Sequence, residues 1–463
     1  MISKFKGLTY KQIIALVILA ACDVFVIAAP YYIKNIIPNL HTYLNIREDQ
    51  VASLTSIIGW VTLVTQLPGG VLANKFSSRW LLFIAVFSTG IITFWFGGVI
   101  WNSSTYSKES VFIQYSIIFG LWGVSSTLVF WTPLWKLVSQ QTTKENQGLA
   151  YGIQGTANGL IGLLFVFFIG IMITTYWAPK DVSSHIPFST YAFLIASFLV
   201  VTSVLVLVLV PEKPMQKNND KLSWAKVKKN ILEVYKALKN WKLWALSLFV
   251  MGMYTFQSVF AYYLLQLIQN SYSAPVILVT VLGGLRTYGL RTIVSTFIGR
   301  WADKFRSYIL FLLITTGIGI IVLGIIILLG FAPKSASVAV IVISSILYLL
   351  AGILSWAMVT LRYTQVGEIH IEKNSYASSV GILSFIGFST DAWLYNVTAA
   401  VGKRYTENNS TNTSQTGYQI ILVITLAIAI IGLIAGVIVH IANSKELKKL
   451  GKTNYRWRTL ENA

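Results

Sequence analysis

Long apolar stretches separated by mostly short polar connections dominate this chain of 463 residues. Each stretch has about 20 residues or more, which is the length that an α-helix needs to cross the hydrocarbon core of a bilayer. The first stretch is too long for a signal peptide and has no clear cleavage site, so we expect it to be retained. The pattern predicts twelve transmembrane helices, over approximately residues 12–33, 51–73, 80–101, 112–135, 148–176, 188–210, 244–268, 275–299, 307–330, 337–361, 376–400 and 417–442.

The twelve predicted helices form two sets of six. Residues 1–210 contain the first six, and residues 244–442 contain the last six. The connection 211–243 is polar and rich in lysine, and its apolar positions predict an amphipathic surface helix. Residues 443–463 form a basic tail. The pattern therefore predicts an all-α membrane protein with two six-helix bundles.

The composition agrees with a membrane protein and disfavours other classes. Hydrophobic residues make up 55% of the chain and charged residues 11%, with a mean hydropathy of +0.67. The net charge of +20 resides mostly in tails and loops, where it favours anionic lipid headgroups over nucleic acid. The single cysteine, Cys22, excludes an intrachain disulfide. The sequence has no phosphate-binding loop, catalytic dyad or metal-ligand cluster, so we expect no enzyme activity, no cofactor and no metal.

Lysine and arginine residues predict the orientation. They concentrate in the two tails and in the central connection. These three segments lie on the same side of the membrane if each of the two sets contains six helices. Since basic residues favour the cytoplasmic side, we expect both termini to be cytoplasmic. The expected location is the cytoplasmic membrane, with multiple spans.

A short motif occurs twice, after the second and the eighth predicted helix. The pattern Gly-x-x-Ala-(Asn/Asp)-Lys-Phe begins at Gly70 and again at Gly299. It resembles the signature loop of the major facilitator superfamily, Gly-x-x-x-Asp-(Arg/Lys)-x-Gly-Arg-Arg, and helix number and central connection resemble that family over the whole chain. The resemblance implies two pseudo-symmetric bundles that expose a midplane site to each side in turn.

The resemblance also implies that these loops form a cytoplasmic latch. Asn74 replaces the signature aspartate in the first copy, whereas Asp303 keeps it in the second. We therefore predict an asymmetric latch in which Asp303 faces the start of the fifth helix near Gly148. The gating residues would be Gly70, Asn74, Lys75, Arg79, Gly299, Asp303 and Lys304.

Glycines on the fifth predicted helix share one face. Their spacing of four, three, four and three residues places them in a stripe that allows another backbone to approach closely. We expect a contact surface between the bundles there. Gln154 and Asn158 flank the stripe and are expected to make packing hydrogen bonds or to reach the cavity. The glycines are Gly148, Gly152, Gly155, Gly159 and Gly162.

Few ionisable residues lie inside the predicted helices. Asp23, Arg286 and Asp391 fall near mid-depth of the first, eighth and eleventh helices, where charged groups usually face a protein interior or a cavity. Arg286 is a candidate for binding an anionic substrate or for pairing with one of the two aspartates. Arg291 lies five residues further along, on a different face of a regular α-helix. Arg362 is expected to extend to the membrane surface from the end of the tenth helix.

Further side chains on helices that the resemblance places around the cavity have rings or amides that suit a polar organic ligand. For any single one of them, ordinary packing is the more common role. They are Trp122 on the fourth helix, Tyr254 and Gln257 on the seventh, and Trp356 on the tenth.

The expected function is secondary active transport of a small, anionic organic solute such as a sugar phosphate or an organic acid. The chain is similar to the bacterial organophosphate and organic-anion branches of the family, and residues 384–391 resemble their eleventh helix. Protons or a counter-transported anion would provide the coupling, and we expect a monomer in the lipid bilayer. Two alternatives stay open: a proton-coupled symporter of a neutral sugar, nucleoside or peptide that uses Asp23 or Asp391, and a non-transporting receptor or scaffold.

Overall fold

The computed structural model describes residues 8–37, 39–142, 147–173, 185–212, 238–302, 304–305, 307–330, 337–369, 376–406, 410–449 and 451. Asp303, most of the central connection with its predicted amphipathic helix, and most of the C-terminal tail lie outside these residues. The described parts contain helices and turns but no β-strand; one isolated bridge joins Thr406 and Thr413.

Long helices follow one another along the described chain. They are α1 (Tyr10–Ile36), α2 (Glu48–Lys75), α3 (Ser78–Trp101), α4 (Lys108–Gln140), α5 (Gln147–Ile161, Gly162–Phe168 and Ile169–Ile171), α6 (His185–Leu209), α7 (Trp241–Ser271), α8 (Val276–Gly284, Leu285–Gly289 and Leu290–Ala302), α9 (Tyr308–Leu329), α10 (Val338–Leu361), α11 (Tyr376–Gly387 and Thr390–Arg404) and α12 (Gln415–Lys449).

Ten helical stretches of the described chain are long and apolar enough to span a membrane. The two other long helices are α2, which begins with Glu48 and Asp49, and α11, which is divided into two parts. The all-α membrane fold predicted from the sequence is confirmed.

Three of the predicted helices are interrupted, which the apolar pattern did not indicate. Turns replace helix at residues 128–130 in α4, 255–258 in α7 and 388–389 in α11. Hydroxyl groups donate hydrogen bonds to some of the backbone carbonyls near these breaks. Thr255 Oγ1 donates to Gly252 O at 2.7 Å, and Ser389 Oγ donates to Ile386 O at 2.7 Å. Such side-chain bonds make a break tolerable inside a membrane protein.

The break in α11 corrects the placement of Asp391. The sequence predicted this residue deep within one continuous helix, whereas it lies in the first turn of the second part of α11. A carboxylate is favourable there because the amino end of a helix carries a partial positive charge.

Several helices also contain wider, π-helical turns. These are Ala28–Tyr32 in α1, Gly162–Phe168 in α5, Leu267–Ser271 in α7 and Leu285–Gly289 in α8. In α1 the turn contains Pro30, which has no N–H to donate to the helical ladder. Such turns are frequent at functional sites.

The chain divides into two compact units that differ from the predicted halves. Unit 1 comprises Met1–Met215, Leu265–Thr292 and Asp391–Gly417; unit 2 comprises Gln216–Leu264, Ile293–Thr390 and Tyr418–Ala463. Unit 1 therefore includes one end each of α7, α8 and α11. The division arises because the ends of α8 and α11 pack against α1, α2 and α5, and the end of α7 packs against α8.

Close contacts inside unit 1 join α1 and α2 to the ends of α8 and α11. A side chain at Gly59 would collide with the backbone of Asp391, and one at Gly283 with the carbonyl of Asn35. Ser56 Oγ also donates to Ala392 O at 2.5 Å. These contacts hold α1 and α2 against the ends of α8 and α11 within unit 1.

Beyond these helices, the loop before α2 is bonded to the loop before α12. Glu48 N donates to Thr411 O at 3.1 Å, and Thr413 N donates to Glu48 Oε2 at 2.8 Å. His41, in the same region, is completely buried beside Asn412 and Asp49. We call His41, Glu48, Asp49, Asn412 and Thr413 the loop clasp.

A glutamate caps the start of α3 in unit 1 and another caps the start of α9 in unit 2. Glu212 accepts from the backbone N–H of Ser78 at 2.7 Å. Glu368 accepts from Ser307 Oγ at 2.5 Å and from the backbone N–H of Tyr308. Both carboxylates satisfy N–H groups that have no partner within their helix.

Candidate functional site

A buried polar cluster joins α1, α5 and α8 within unit 1. Its centre is Asp23, which is 1% exposed. Asn158 Nδ2 donates to Asp23 Oδ2 at 2.6 Å, Gln154 Nε2 donates to the same oxygen at 3.3 Å, and Arg291 Nη2 lies 3.5 Å from it. These four residues are the Asp23 cluster.

The local sequence explains why the cluster forms. Gln154 and Asn158 are four residues apart on α5, so they lie on one face of the helix. One turn further, Thr292 and the ring of Tyr288 occupy the positions that side chains at Gly159 and Gly162 would need. The two glycines thus let α8 approach α5 closely enough for Arg291 to reach Asp23.

The two oxygens of Asp23 have different surroundings. All three donors reach Oδ2, whereas Oδ1 is buried without a hydrogen-bond partner in the described structure. The Oδ1 of Asn158 is likewise buried and without a partner there. A buried acceptor without a donor costs free energy, and more so when it belongs to a charged group. A proton on Oδ1 would lower that cost by removing the negative charge of the carboxyl group.

Arg291 is the more accessible arginine of α8. Its side chain is 20% exposed, and its distance of 3.5 Å to Asp23 is at the limit for a hydrogen bond. Arg286 lies in the π-helical turn and is 1% exposed. The sequence offered Arg286 as a partner of an aspartate and left Arg291 unassigned, whereas in the structure Arg291 pairs with Asp23.

The π-helical turn also explains why the two arginines could not be placed from the sequence. In a regular α-helix, residues five apart lie on different faces. The turn Leu285–Gly289 instead has hydrogen bonds between residues five apart, as from Leu290 N to Leu285 O. Arg286 and Arg291 therefore lie closer to one face than the α-helical spacing indicated.

Lys34 is a buried cation that the sequence analysis missed. Its Nζ donates to Thr55 Oγ1 at 3.3 Å and lies 4.0 Å from the ring centroid of Tyr395, while Asp391 acts on it electrostatically. Lys34 follows directly after the predicted end of the first helix, which suggested a surface residue. The signal that could have identified it is the apolar run that continues after it to Ile37.

The aromatic and amide candidates have varied surroundings. Trp122 is completely buried, packs against Phe96 with ring centroids 4.8 Å apart, and donates to Thr93 Oγ1 at 3.2 Å. It belongs to the core of unit 1 and not to a solute pathway, because α3 and α4 enclose it. Trp356 is 3% exposed in unit 2, and Gln257 accepts from Ser355 Oγ at 2.9 Å.

Unit 2 contains a small hollow next to Tyr254. Arg362 and Phe388 also line it, and its volume of about 10 Å³ is room for roughly one water molecule. Arg362 was expected to extend to the membrane surface. Its guanidinium instead lies 4.8 Å from the ring centroid of Tyr363 and 5.3 Å from that of Phe388.

The glycine stripe is close-packed over only part of its length. Side chains at Gly152 and Gly155 would meet no atom within 4 Å, whereas Gly159 and Gly162 contact α8. Within the described residues, that part of α5 is open at Gly152 and Gly155, and the predicted contact surface between the bundles stays a prediction. The surroundings of Gly148 lie outside the described structure.

The predicted latch lies largely outside the described residues. Gly70, Asn74 and Lys75 are on the last turns of α2 and Gly299 is near the end of α8, but only their backbone is described. The backbone N–H of Arg79 donates to Glu212 Oε2 at 3.4 Å, and Lys304 is exposed. The latch with Asp303 stays a prediction. No group of three potential metal ligands occurs among the residues that the structure describes.

Comparison with known proteins relates this arrangement to transporters. Residues 13–392 match the family described as "Major Facilitator Superfamily". A Mycoplasma pneumoniae protein named "Uncharacterized protein MG294 homolog" is 60% identical over 459 residues, which cover 98% of this chain and 97% of that protein. The Escherichia coli inner membrane protein YqcE is 22% identical over 372 residues, covering 77% of this chain and 79% of YqcE.

Solved transporter structures share the fold. A bacterial homologue of the human lysosomal transporter Spinster, in an inward-facing and unoccupied conformation, has a TM-score of 0.64 at 13% identity, covering 92% of this chain and 96% of that one. The nucleoside transporter NupG has a TM-score of 0.61 at 14% identity, covering 93% and 99%. Because the family match covers most of the chain and the helices are long and apolar enough to span a membrane, the chain belongs to the major facilitator superfamily and is a multi-pass membrane transporter.

Proposed function

We propose that the protein transports a small organic anion together with a proton. In this proposal Asp23 carries the proton and Arg291 binds the anion. The observation that carries the proposal is the pairing of Arg291 with Asp23 at 3.5 Å, in a cluster where every donor reaches Oδ2 and none reaches Oδ1.

Protonation of Asp23 would change what Arg291 can bind. The ionised carboxylate attracts the guanidinium, and in a protein interior this attraction is much stronger than in water. A proton on Oδ1 removes the negative charge and leaves Oδ2 as an acceptor for Asn158 and Gln154. Arg291 is then available to a substrate carboxylate or phosphate, for which its planar fork is well suited. Proton and anion would therefore bind together.

The charges on three helices around the Asp23 cluster support an anionic solute. The buried or half-buried ionisable groups on α1, α8 and α11 include more cations than anions: Lys34, Arg286 and Arg291 against Asp23 and Asp391. Net charge inside a membrane protein is costly. A bound anion would lower this cost. We further expect a monomer with both termini cytoplasmic, and the latch residues to close the cytoplasmic side.

Transport by the full-length protein in proteoliposomes tests the proposal. Suitable solutes are lactate, benzoate, glucose 6-phosphate, glucose and uridine, each with and without an inward proton gradient. We expect uptake of at least one anion that the gradient stimulates. Arg291→Gln should lower it by about tenfold or more, since a hydrogen bond to a charged group contributes about 1.5 to 3 kcal/mol. Arg291→Lys should retain part of it, and Arg404→Gln, which changes an exposed arginine, should retain all of it.

Asp23→Asn separates coupling from binding. This variant should still exchange anions across the membrane, but a proton gradient should no longer stimulate uptake. Uptake of none of the anions by the wild-type protein would contradict the proposal.

A second candidate is proton-coupled transport of a neutral solute. It is favoured by the complete burial of Asp23, which would serve as the proton carrier in this case too. The same assay distinguishes the two candidates. Gradient-driven uptake of glucose or uridine that survives Arg291→Gln and is lost in Asp23→Asn would favour the neutral solute.

A further inference from the structure

We propose that the loop clasp is an acid-sensitive gate on the side of the membrane that the sequence predicts to be extracellular. Neutral His41 keeps the clasp closed, and a proton on His41 opens it. The gate concerns a movement of the transporter and not its solute, so it goes beyond the proposed function.

The clasp joins a loop of the first set of six helices, between α1 and α2, to a loop of the second set, between α11 and α12. Glu48 N donates to Thr411 O at 3.1 Å, and Thr413 N donates to Glu48 Oε2 at 2.8 Å. A side chain at Gly402, near the end of α11, would come within 3.3 Å of Asp49 Cβ. In transporters that expose a site to each side in turn, the two sets move against each other. These contacts must therefore part when this side opens.

His41 is neutral in the closed clasp because of its surroundings. It is completely buried, and neither of its ring nitrogens has a hydrogen-bond partner among the described residues. A charged imidazole has two N–H donors and would lose its water there without gaining acceptors, which is costly. Burial accordingly lowers the pKa of His41 from 6.5 to about 4, although Asn412 and Asp49 act in the opposite direction. Asn412 belongs to the other loop, so parting of the loops uncovers His41 and admits water.

The other charged and titratable groups on the described elements around His41 do not offset its burial. Asp49 is already paired with Arg47, whose Nη2 lies 2.8 Å from Asp49 Oδ2. Glu48 is bound to the backbone of the other loop, and burial raises the pKa of Tyr43, which therefore stays neutral in acid. The remaining groups carry or can gain positive charge, which disfavours a further cation nearby. They are His185 at the start of α6 and Lys403 and Arg404 at the end of α11.

The difference in pKa between the two states determines how strongly acid opens the clasp. The closed clasp binds the proton with a pKa of about 4, whereas His41 in water has the ordinary value of 6.5. The closed state therefore has its full advantage above pH 6.5 and loses it as the pH falls toward 4. Relative to pH 8, the ratio of open to closed protein should rise about 4-fold at pH 6 and about 30-fold at pH 5.

Labelling of introduced cysteines in the full-length protein in proteoliposomes tests the gate. The only native cysteine is the buried Cys22, so a Cys22→Ala background leaves the introduced thiol as the only target. Thr413→Cys changes a position of the clasp that is 4% exposed, and Thr411→Cys changes an exposed position of the same loop. A membrane-impermeant methanethiosulfonate reagent is added outside at pH 8, 6 and 5. The ratio of the two labelling rates removes the pH dependence of thiol reactivity and measures the opening of the clasp.

We expect this ratio of labelling rates to rise about 30-fold from pH 8 to pH 5. His41→Asn should reduce the rise to less than about twofold, because asparagine does not titrate in this range. His440→Asn, which changes a half-buried histidine on α12, should leave the rise unchanged. Thermal unfolding identifies variants that fail to fold. A ratio that does not change with pH, or a rise that persists in a folded His41→Asn protein, would overturn the gate.

A third position separates a gate from a local opening of the loops. Ser56 lies about two turns after Glu48 on α2, is 1% exposed, and donates through Oγ to Ala392 O at 2.5 Å. A thiol in Ser56→Cys becomes accessible only when α2 and α11 part as well. We expect its labelling, relative to that of Thr411→Cys, to rise in acid and to lose this rise in His41→Asn. If only Thr413→Cys responds to acid, the loops open without the helices and the clasp is not a gate. No solute is present in these measurements, so they test the gate separately from the proposed function.

Discussion

Asn158 donates to Asp23 at 2.6 Å, the shortest hydrogen bond of the Asp23 cluster. Gln154, one turn earlier on α5, reaches the same oxygen at 3.3 Å. The shorter bond indicates that Asn158 is the principal amide partner of the carboxylate.

A double-mutant cycle measures this pair. Asp23→Ala, Asn158→Leu and the double variant should give a coupling free energy of about 1.5 to 3 kcal/mol, the range for hydrogen bonds to charged groups. The same cycle with Gln154→Leu should give a smaller value because its bond is longer. The measurement is thermal unfolding of the purified protein, and equal coupling for the two amides would contradict the prediction.

The glycines of α5 provide a comparison within one helix. Gly159→Ala and Gly162→Ala should destabilise the protein by about 1 to 3 kcal/mol, because the added methyl groups displace Thr292 and Tyr288. Gly152→Ala and Gly155→Ala should be neutral or stabilising, since those positions are open and alanine favours a helix. A uniform effect of all four substitutions on the unfolding temperature would show that the packing near α8 is not the cause.

Acid should weaken the loop clasp through His41. Burial lowers the pKa of His41 from 6.5 to about 4, although Asn412 and Asp49 favour its charged form. The folded protein therefore binds the proton less well than the unfolded chain. The stability that neutral His41 provides is complete above pH 6.5, declines as the pH falls and is lost near pH 4, by about 3 kcal/mol in all.

The pH dependence of unfolding checks this prediction. His41→Asn removes the titrating group, so the fall in unfolding temperature between pH 6.5 and pH 4.5 should become shallower than in the wild type. Asp49 and Glu48 are present in both proteins, so their titration does not account for a difference. Parallel curves would exclude His41 as the cause.

The capping glutamates should contribute more stability than an exposed ion pair. Glu368→Ala leaves the backbone N–H of Tyr308 without its acceptor in a buried place, so we expect a loss of about 1 to 3 kcal/mol. Glu446→Ala breaks a contact of 2.7 Å with Lys242, but its side chain is 49% exposed, so the loss should stay below about 1 kcal/mol. The unfolding temperatures of the Glu368→Ala and Glu446→Ala proteins show which substitution destabilises more. A larger loss in Glu446→Ala would contradict the capping role of Glu368.

The sequence was sufficient to predict the helices and the family. It was not sufficient to predict which polar side chains of these helices contact each other. Apolar length predicts a spanning helix because the membrane imposes it, and the repeated loop motif indicates the family. Which arginine meets Asp23 depends on a π-helical turn, and regular α-helical spacing cannot reveal it. Lys34 was missed for a related reason. The first helix continues past its most apolar part to Ile36, and Lys34 is therefore buried.

The breaks in α7 and α11 depend on structure that a hydropathy pattern does not contain. Thr255 and Ser389 are ordinary residues in a membrane helix, and only their hydrogen bonds to Gly252 and Ile386 show that the ladder is interrupted. Asp391 was misplaced because α11 was read as continuous. Trp122 was misjudged because a tryptophan in a core and one beside a solute look alike in a sequence.

The interruptions of α7 and α11 also determine where the backbone can bend cheaply. A continuous helix must give up regular ladder hydrogen bonds to bend sharply, whereas at residues 255–258 and 388–389 turns already replace that regular ladder. At these two places α7 and α11 can bend with the smallest loss of helical hydrogen bonds. Tyr254 and Phe388 lie at these two places, and their rings pack edge to face with centroids 4.7 Å apart, so bending of either helix there changes its contact with the other.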